Sequence, residues 1–250
     1  MCSAKIIPFP ASVVATHGRS QQQPPFPCSA LLFDLDGTLV HTGPDLAGAM
    51  NHVLQSRGLA TLDPIEVQHL VGNGARSLLA RGFWGRGAEA PEGDSDFEAA
   101  VQQFLAYYAH HIADHSHPYP GVMEGLQRLQ EAGFFMAVVT NKPEFLAHKL
   151  LAELNMAHFF KVVVGGDTLP TRKPAPEMLY HATVHMASAI NEAVMVGDSD
   201  NDILAAQRAN IPVIAVNYGY NQHDALAALH PDVLVDCFGA IEGLVVREQA

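Results

Sequence analysis

Residues 31–40 read LLFDLDGTLV, so an apolar run ends in two carboxylates, Asp34 and Asp36, one residue apart, with Gly37 and Thr38 directly after them. Ionised carboxylates at the end of a buried strand raise the free energy unless something compensates them. Three later segments place polar groups in the same way. Thr140, Asn141 and Lys142 follow FFMAVV, Lys173 lies in GGDTLPTRKPAPEM, and Asp198, Asp200 and Asp202 fall in VGDSDND. Together these would supply several carboxylates, one or two ammonium groups and a hydroxyl. Clustered carboxylates repel each other and take up protons unless a cation sits among them. All-oxygen ligation with few carboxylates suits Mg²⁺, which keeps several waters and shares its shell with substrate phosphate. A Lys and a Thr aimed at the same point would hold the remaining phosphate oxygens. The chemistry implied is Mg²⁺-dependent handling of a phosphoryl group.

Such groups converge only if the elements before them are neighbours. From residue 30 onward, apolar runs recur at ALLFD, FFMAVVT (134–140), FKVVVG (160–165), AVMVG (193–197) and PVIAV (212–216). Short continuous runs of this kind suit strands covered on both faces. Helical patterns separate them, among them GVMEGLQRLQEAG, PEFLAHKLLAELN, PEMLYHATVHM and SDNDILAAQRAN. Strands alternating with helices predict an α/β fold with a doubly wound parallel sheet, a Rossmann-like core. In open sheets of this class the ligand site lies outside the carboxyl ends of the strands, where these polar residues fall. One connection breaks the pattern: roughly eighty residues separate the first strand from the second, far too many for a crossover loop. That insertion carries helical patterns of its own, PDLAGAMNHVLQSRG, IEVQHLVGNGARSLLARGFW and FEAAVQQFLAYYAHHIADH. The reading is a small α-helical cap domain at 43–117, set into a catalytic core of 30–42 and 118–250. Its linkers fall near His41–Pro44 and His115–Pro120.

DLDGTL, VVTNK, RKPAPEM and VGDSDND, in this order, resemble the four motifs of the haloacid dehalogenase superfamily. The resemblance implies that Asp34 is a nucleophile forming an aspartyl-phosphate. It implies that Asp36 is the general acid/base, first for the leaving oxygen and then for the attacking water. Thr140 and Lys173 match the phosphate-holding groups, with Asn141 beside them. Asp198 matches the acidic metal ligand, joined by the Asp34 side chain and the Asp36 backbone carbonyl. Asp202 is expected outside the metal shell, orienting a bound water or Lys173. The insertion matches a cap that closes over substrate and sets specificity. Within it LVGNGARSLLARG, like TNKP and GGDTLPTRKPAPEML in the core, is similar to phosphoglycolate phosphatases. That implies 2-phosphoglycolate as substrate, with Asn73, Gly74 and Arg76 as cap specificity residues. One position departs from the family pattern: V-D-S after DGTL reads Val40-His41-Thr42 here, which alters the hinge but not the catalytic set.

Taken singly, each motif has a plainer reading: an Asx turn for Asp34 and Asp36, a solvated loop for Lys173, a helix N-cap for Asp198. Four such motifs in order at strand ends favour the catalytic reading. Rival functions remain open, namely a phosphomutase, a phosphatase of a sugar phosphate or nucleoside monophosphate, and a non-enzymatic phospho-receiver. The 250 residues carry a formal net charge of −12, which argues against non-specific binding to nucleic acid or anionic membrane. The partner expected is a small anionic phosphomonoester, met by a monomer or homodimer. Cys2, Cys28 and Cys237 form no CxxC pair, so no disulfide is expected and a reducing compartment, the cytoplasm, fits. Residues 1–29, with five prolines and a Gln run, read as a disordered leader. The HHIADHSH stretch lacks the ligands to complete a zinc site and reads as a solvated cap helix.

Overall fold

A strand packed on both faces must send alternate side chains into two separate cores. The five apolar runs do this in the computed structural model, which describes residues 2–7, 23–221 and 223–247. The strands are β1 (Ala4–Ile6), β2 (Phe26–Cys28), β3 (Ala30–Phe33), β4 (Val40–His41), β5 (His117–Pro118), β6 (Phe135–Val139), β7 (Val162–Val164), β8 (Ala193–Gly197), β9 (Val213–Val216), β10 (Val233–Val235) and β11 (Val245–Arg247). Between β4 and β5 lie helices α1 (Gly43–Ser56), α2 (Pro64–Gln68), α3 (Gly74–Trp84) and α4 (Ser95–His110). After them come α5 (Val122–Glu131), α6 (Glu144–Glu153), α7 (Glu177–Met186), α8 (Asp200–Ala209) and α9 (His223–Ala227). The main sheet runs β1-β10-β9-β8-β3-β6-β7, parallel except for β1, which is antiparallel to β10. Leu31 and Phe33 of β3 enter one core, Ala30 and Leu32 the other. The first core continues into the helical insertion through Met50, Val53, Leu79 and Phe104.

β3 is central, with β6 and β8 hydrogen-bonded on either side. The carboxyl ends of β8, β3, β6 and β7 therefore line up along one edge, which is where the polar motifs emerge.

Three expectations need correction. The leader is not unstructured where it is described: Ala4–Ile6 pairs with β10 and Phe26–Cys28 pairs with β11, while residues 1 and 8–22 lie outside the described residues. A disulfide joins Cys2 to Cys237, because β1 alongside β10 brings the two Cα atoms to 5.6 Å. Their separation of 235 residues concealed the pairing, and the bond removes the cysteine argument for a reducing compartment. The pattern IEVQHLVGNGARSLLARGFW is also not continuous helix. Gly72 and Gly74 adopt φ of +127° and +81°, a region open to glycine, and split it into α2 and α3. Among the described residues, no helix is long and apolar enough to cross a membrane.

The two passages between sheet and insertion run side by side: β4 and β5 form a two-stranded ribbon in which His41 faces His117. Asp45, buried in the first turn of α1, fastens the returning passage. Its carboxylate accepts from the His115 and Ser116 N–H groups at 2.8–3.1 Å and from Ser116 Oγ at 2.6 Å. Asp45→Ala would leave two N–H groups and a hydroxyl without this acceptor, so the fold should lose roughly 2–4 kcal/mol. Urea unfolding checks this, and a loss below about 0.5 kcal/mol would contradict the fastening role.

Candidate active site

Each polar group predicted at a strand end lies at one. Asp34 follows β3 directly, its N–H still bonded to Val196 O at 2.9 Å. Thr140 follows β6, with its N–H on Val164 O. Asp198 follows β8, and Lys173 stands on the loop after β7. Lys173 Nζ donates to Asp34 Oδ1 at 2.8 Å, to Asp202 Oδ1 at 2.6 Å and to Val139 O at 2.6 Å. Asp202, in the first turn of α8, has its other oxygen engaged by Ser199 N–H and Oγ. Asp198 accepts from Thr38 Oγ1 at 3.1 Å and from the Tyr220 N–H at 2.8 Å. Gly37, at φ +90°, comes so close that a Cβ there would meet Asp198 Oδ2 at 2.4 Å, so no other residue fits the turn after Asp36.

Asp36 turns the other way. Its carboxylate accepts from Thr42 Oγ1 at 2.7 Å and from Lys142 Nζ at 2.9 and 3.2 Å. Two residues along, the Asp34 side chain points to Lys173. The two carboxylates thus serve separate neighbourhoods: one faces the buried acidic cluster, the other faces the helical insertion.

The electrostatics follow from burial. Asp34 is pushed up from its usual 3.8 to about 7, chiefly by burial, with Lys173 opposing and Asp202 adding to the shift. Asp198 is raised for the same reason, with Asp34 and Asp202 as further causes. Burial alone would lower Lys173, but Asp202 and Asp34 outweigh it and hold the ammonium above its ordinary value. Ligand oxygens of Asp34, Asp198 and Asp202 all lie within 4.8 Å of one another. A buried carboxylate cluster larger than its one ammonium can neutralise suits a divalent cation, and this all-oxygen donor set fits Mg²⁺ rather than a softer metal.

The pocket lies between the sheet edge and the insertion. Asp34, Asp36, Thr140, Asn141 and Lys142 line it from the core, and Gly72, Gly74, Phe104 and Tyr108 from the insertion. Asn141 points differently from expectation: its Nδ2 donates to Gly72 O and Lys173 O, each at 2.9 Å, tying the insertion to the Lys173 loop. Of the cap residues, Gly74 lines the pocket. The Asn73 amide meets that of Asn201 at 2.9 Å. Arg76 is ion-paired with Glu98 at 2.5 Å and bonded to Pro91 O, outside the pocket lining. Two residues to which the motif resemblance assigns no role enter the site: Lys142, which stands with Thr140 and Asn141 at the end of β6, and Tyr108, whose helical spacing with Phe104 marks it only as packing. Tyr220 links site to hinge, its hydroxyl accepting from the Thr42 and Gly43 N–H groups while its own N–H holds Asp198.

A raised folded-state carboxylate favours the fold below its unfolded value, and the benefit is lost as pH rises through the folded value. For Asp34 that window runs from 3.8 to about 7. With EDTA present, melting temperature should therefore fall across this window, and added Mg²⁺ should flatten the fall. Asp198→Asn keeps an oxygen for the Tyr220 N–H and removes one buried charge. It should raise the melting temperature at pH 8 in EDTA and abolish the gain from Mg²⁺. A destabilised variant that still responds to Mg²⁺ would contradict the cluster's role.

The haloacid dehalogenase-like hydrolase family model matches residues 31–216. The chain is 41% identical over 210 residues to a phosphoglycolate phosphatase of Agrobacterium fabrum, covering 84% of this chain and 89% of that one. It is 40% identical over 212 residues to a phosphoglycolate phosphatase of Colwellia psychrerythraea, covering 84% and 94%. A crystal structure described as a predicted phosphoglycolate phosphatase from Haemophilus somnus superposes with a TM-score of 0.79 at 35% identity, covering 88% of this chain and 98% of that one. With four motifs gathered on one sheet edge beneath a helical insertion, the chain belongs to the phosphoglycolate phosphatase family of the haloacid dehalogenase-like hydrolases and is a phosphoric monoester hydrolase.

Proposed function

We propose that this enzyme hydrolyses 2-phosphoglycolate to glycolate and phosphate, with Mg²⁺, through an aspartyl-phosphate at Asp34. The observation that carries the proposal is the opposed orientation of Asp34 and Asp36 in one pocket, the first held by Lys173 beside the acidic cluster, the second by Lys142 and Thr42. Asp34 attacks phosphorus, while Thr140 and Lys173 hold phosphoryl oxygens and Asn141 fixes the loop that carries Lys173. Asp36 protonates the leaving oxygen, then takes a proton from the water that opens the aspartyl-phosphate. The Asp34 carboxylate, the Asp36 backbone carbonyl and Asp198 would hold Mg²⁺, which would draw charge from the phosphoryl oxygens. Asp202 keeps Lys173 in place from behind.

Substrate size and polarity follow from the walls. Leu46, Val71, Ala75, Leu78, Phe104 and Leu146 make the pocket mostly apolar. A sugar phosphate or nucleotide would bury hydroxyls there without partners, at a cost in binding. A short ester brings no hydroxyls, and its one further polar group, a carboxylate, needs a single cationic partner there. In the cap, Asn73 and Gly74 would shape the mouth, and Arg76 would act on it through its pairing with α4.

Phosphate release measured across small phosphomonoesters with Mg²⁺ tests the reading. 2-Phosphoglycolate should rank among the highest in kcat/KM, and EDTA should stop its turnover. A better sugar phosphate or nucleoside monophosphate would overturn the substrate assignment. An isomeric phosphate ester formed without phosphate release would establish a mutase instead.

A further inference from the structure

Lys142 is the one basic side chain among the residues that line the pocket, and its side chain is only 3% exposed. An ammonium in such a place needs anionic or polar partners. In the structure it has Asp36, at 2.9 and 3.2 Å, and the hydroxyl of Tyr108, at 2.7 Å. Lys142 belongs to the core and Tyr108 to α4 of the insertion, so this hydrogen bond spans the pocket. The Tyr108 oxygen accepts from Lys142, which leaves its O–H to donate elsewhere. Burial, with Asp36 nearby as a further cause, raises Tyr108 well above its ordinary value, so the phenol keeps that proton.

Position gives these two groups a task. Resting on the reading of Asp36 as the acid for the leaving oxygen, any group on the carbon after that oxygen must lie close to the ammonium that Asp36 touches. In 2-phosphoglycolate that group is a carboxylate, two bonds beyond the leaving oxygen. An ammonium has three donors, and a neighbouring phenol adds a fourth. The 3.2 Å contact to Asp36 Oδ2 is the longest of the three around Lys142, and it is the one a second carboxylate would replace. The other residues that line the pocket are mostly apolar and offer a carboxylate no other cation.

We propose that Lys142 and Tyr108 form the subsite for the carboxylate of the substrate, with the ammonium and the phenol each donating to it. The pair spans core and cap, so the carboxylate is gripped only when α4 stands over the sheet edge. Specificity then resides in one residue of TNK and one tyrosine of the cap, rather than in Arg76, which Glu98 already engages.

Ethyl phosphate, with a methyl group where 2-phosphoglycolate has its carboxylate, isolates the interaction. The quantity to measure is the ratio of kcat/KM for the two esters. Wild type should prefer 2-phosphoglycolate. Lys142→Met should reduce that preference by roughly 10- to 100-fold, the range for a lost charge-assisted hydrogen bond. Lys142→Arg should restore part of the preference, and Tyr108→Phe should lower it by several-fold. Should Lys142→Met fail to fold, Tyr108→Phe decides alone, since it removes a single oxygen, and an unaltered preference there overturns the proposal. An equal fall for both esters in Lys142→Met would mean that Lys142 serves Asp36 only, which overturns the subsite while the phosphatase reading stands. A wild type with no preference for 2-phosphoglycolate would defeat the substrate reading itself and the subsite with it.

Discussion

The ammonium of Lys173 lies buried between the carboxylates of Asp34 and Asp202, and the strand ends of this enzyme are organised around that contact. Neither partner would be tolerable there without the other. A buried ion pair is costly to assemble, and removing one member leaves an uncompensated charge in a medium that solvates it poorly. Lys173 meets this constraint from a loop after β7, Asp34 from the end of β3 and Asp202 from the first turn of α8. Three elements distant in sequence are thereby held to one geometry. Asp198 adds a further buried charge that no ammonium answers. The sheet must therefore supply enough apolar burial to carry an electrostatic burden that a divalent cation would relieve. Its two cores, one on each face, provide that burial.

The second feature is the division of labour between two carboxylates one residue apart. Asp34 is held by the core, whereas Asp36 is held by Thr42 in the hinge and by Lys142, which itself reaches Tyr108 on the cap. Asp36, the proposed proton carrier, is thus tied to the elements that would move when the cap opens, and Asp34, the proposed nucleophile, is not. The hinge ribbon carries its own sensitivity. His41 packs near His117, Tyr119 and Tyr220, and burial together with His117 lowers its pKa. Where the family pattern has an acidic residue, this hinge has a histidine favoured in its neutral form.

Much of this architecture could be read from the chain alone, for a physical reason. Strands buried on both faces must be continuous apolar runs, and a phosphoryl site at their ends must interrupt those runs with Asp, Thr and Lys. Asp34, Thr140 and Asp198 all mark such interruptions. What stayed hidden depended on pairings distant in sequence. β1 is a three-residue strand with exposed side chains and no apolar pattern, and it is identified only by its partner β10. The disulfide that accompanies it was hidden for the same reason. The break between α2 and α3 was visible as Gly72 and Gly74, but glycine inside a helical pattern does not announce positive φ. Tyr108 sits at helical spacing with Phe104 and so matched a packing residue. Its hydroxyl acquires a role only when α4 is laid across Lys142.

Covalent transfer of the phosphoryl group to Asp34 is the central step of the proposed mechanism. Rapid acid quenching of wild-type enzyme during turnover of 2-phosphoglycolate with Mg²⁺, followed by peptide mapping, tests that directly. The account predicts an acyl phosphate on the peptide containing Asp34, located at Asp34 by reductive cleavage of the labile bond and absent from Asp34→Asn. Phosphate released at the normal rate with no label at Asp34, or with the label on another residue, would contradict it.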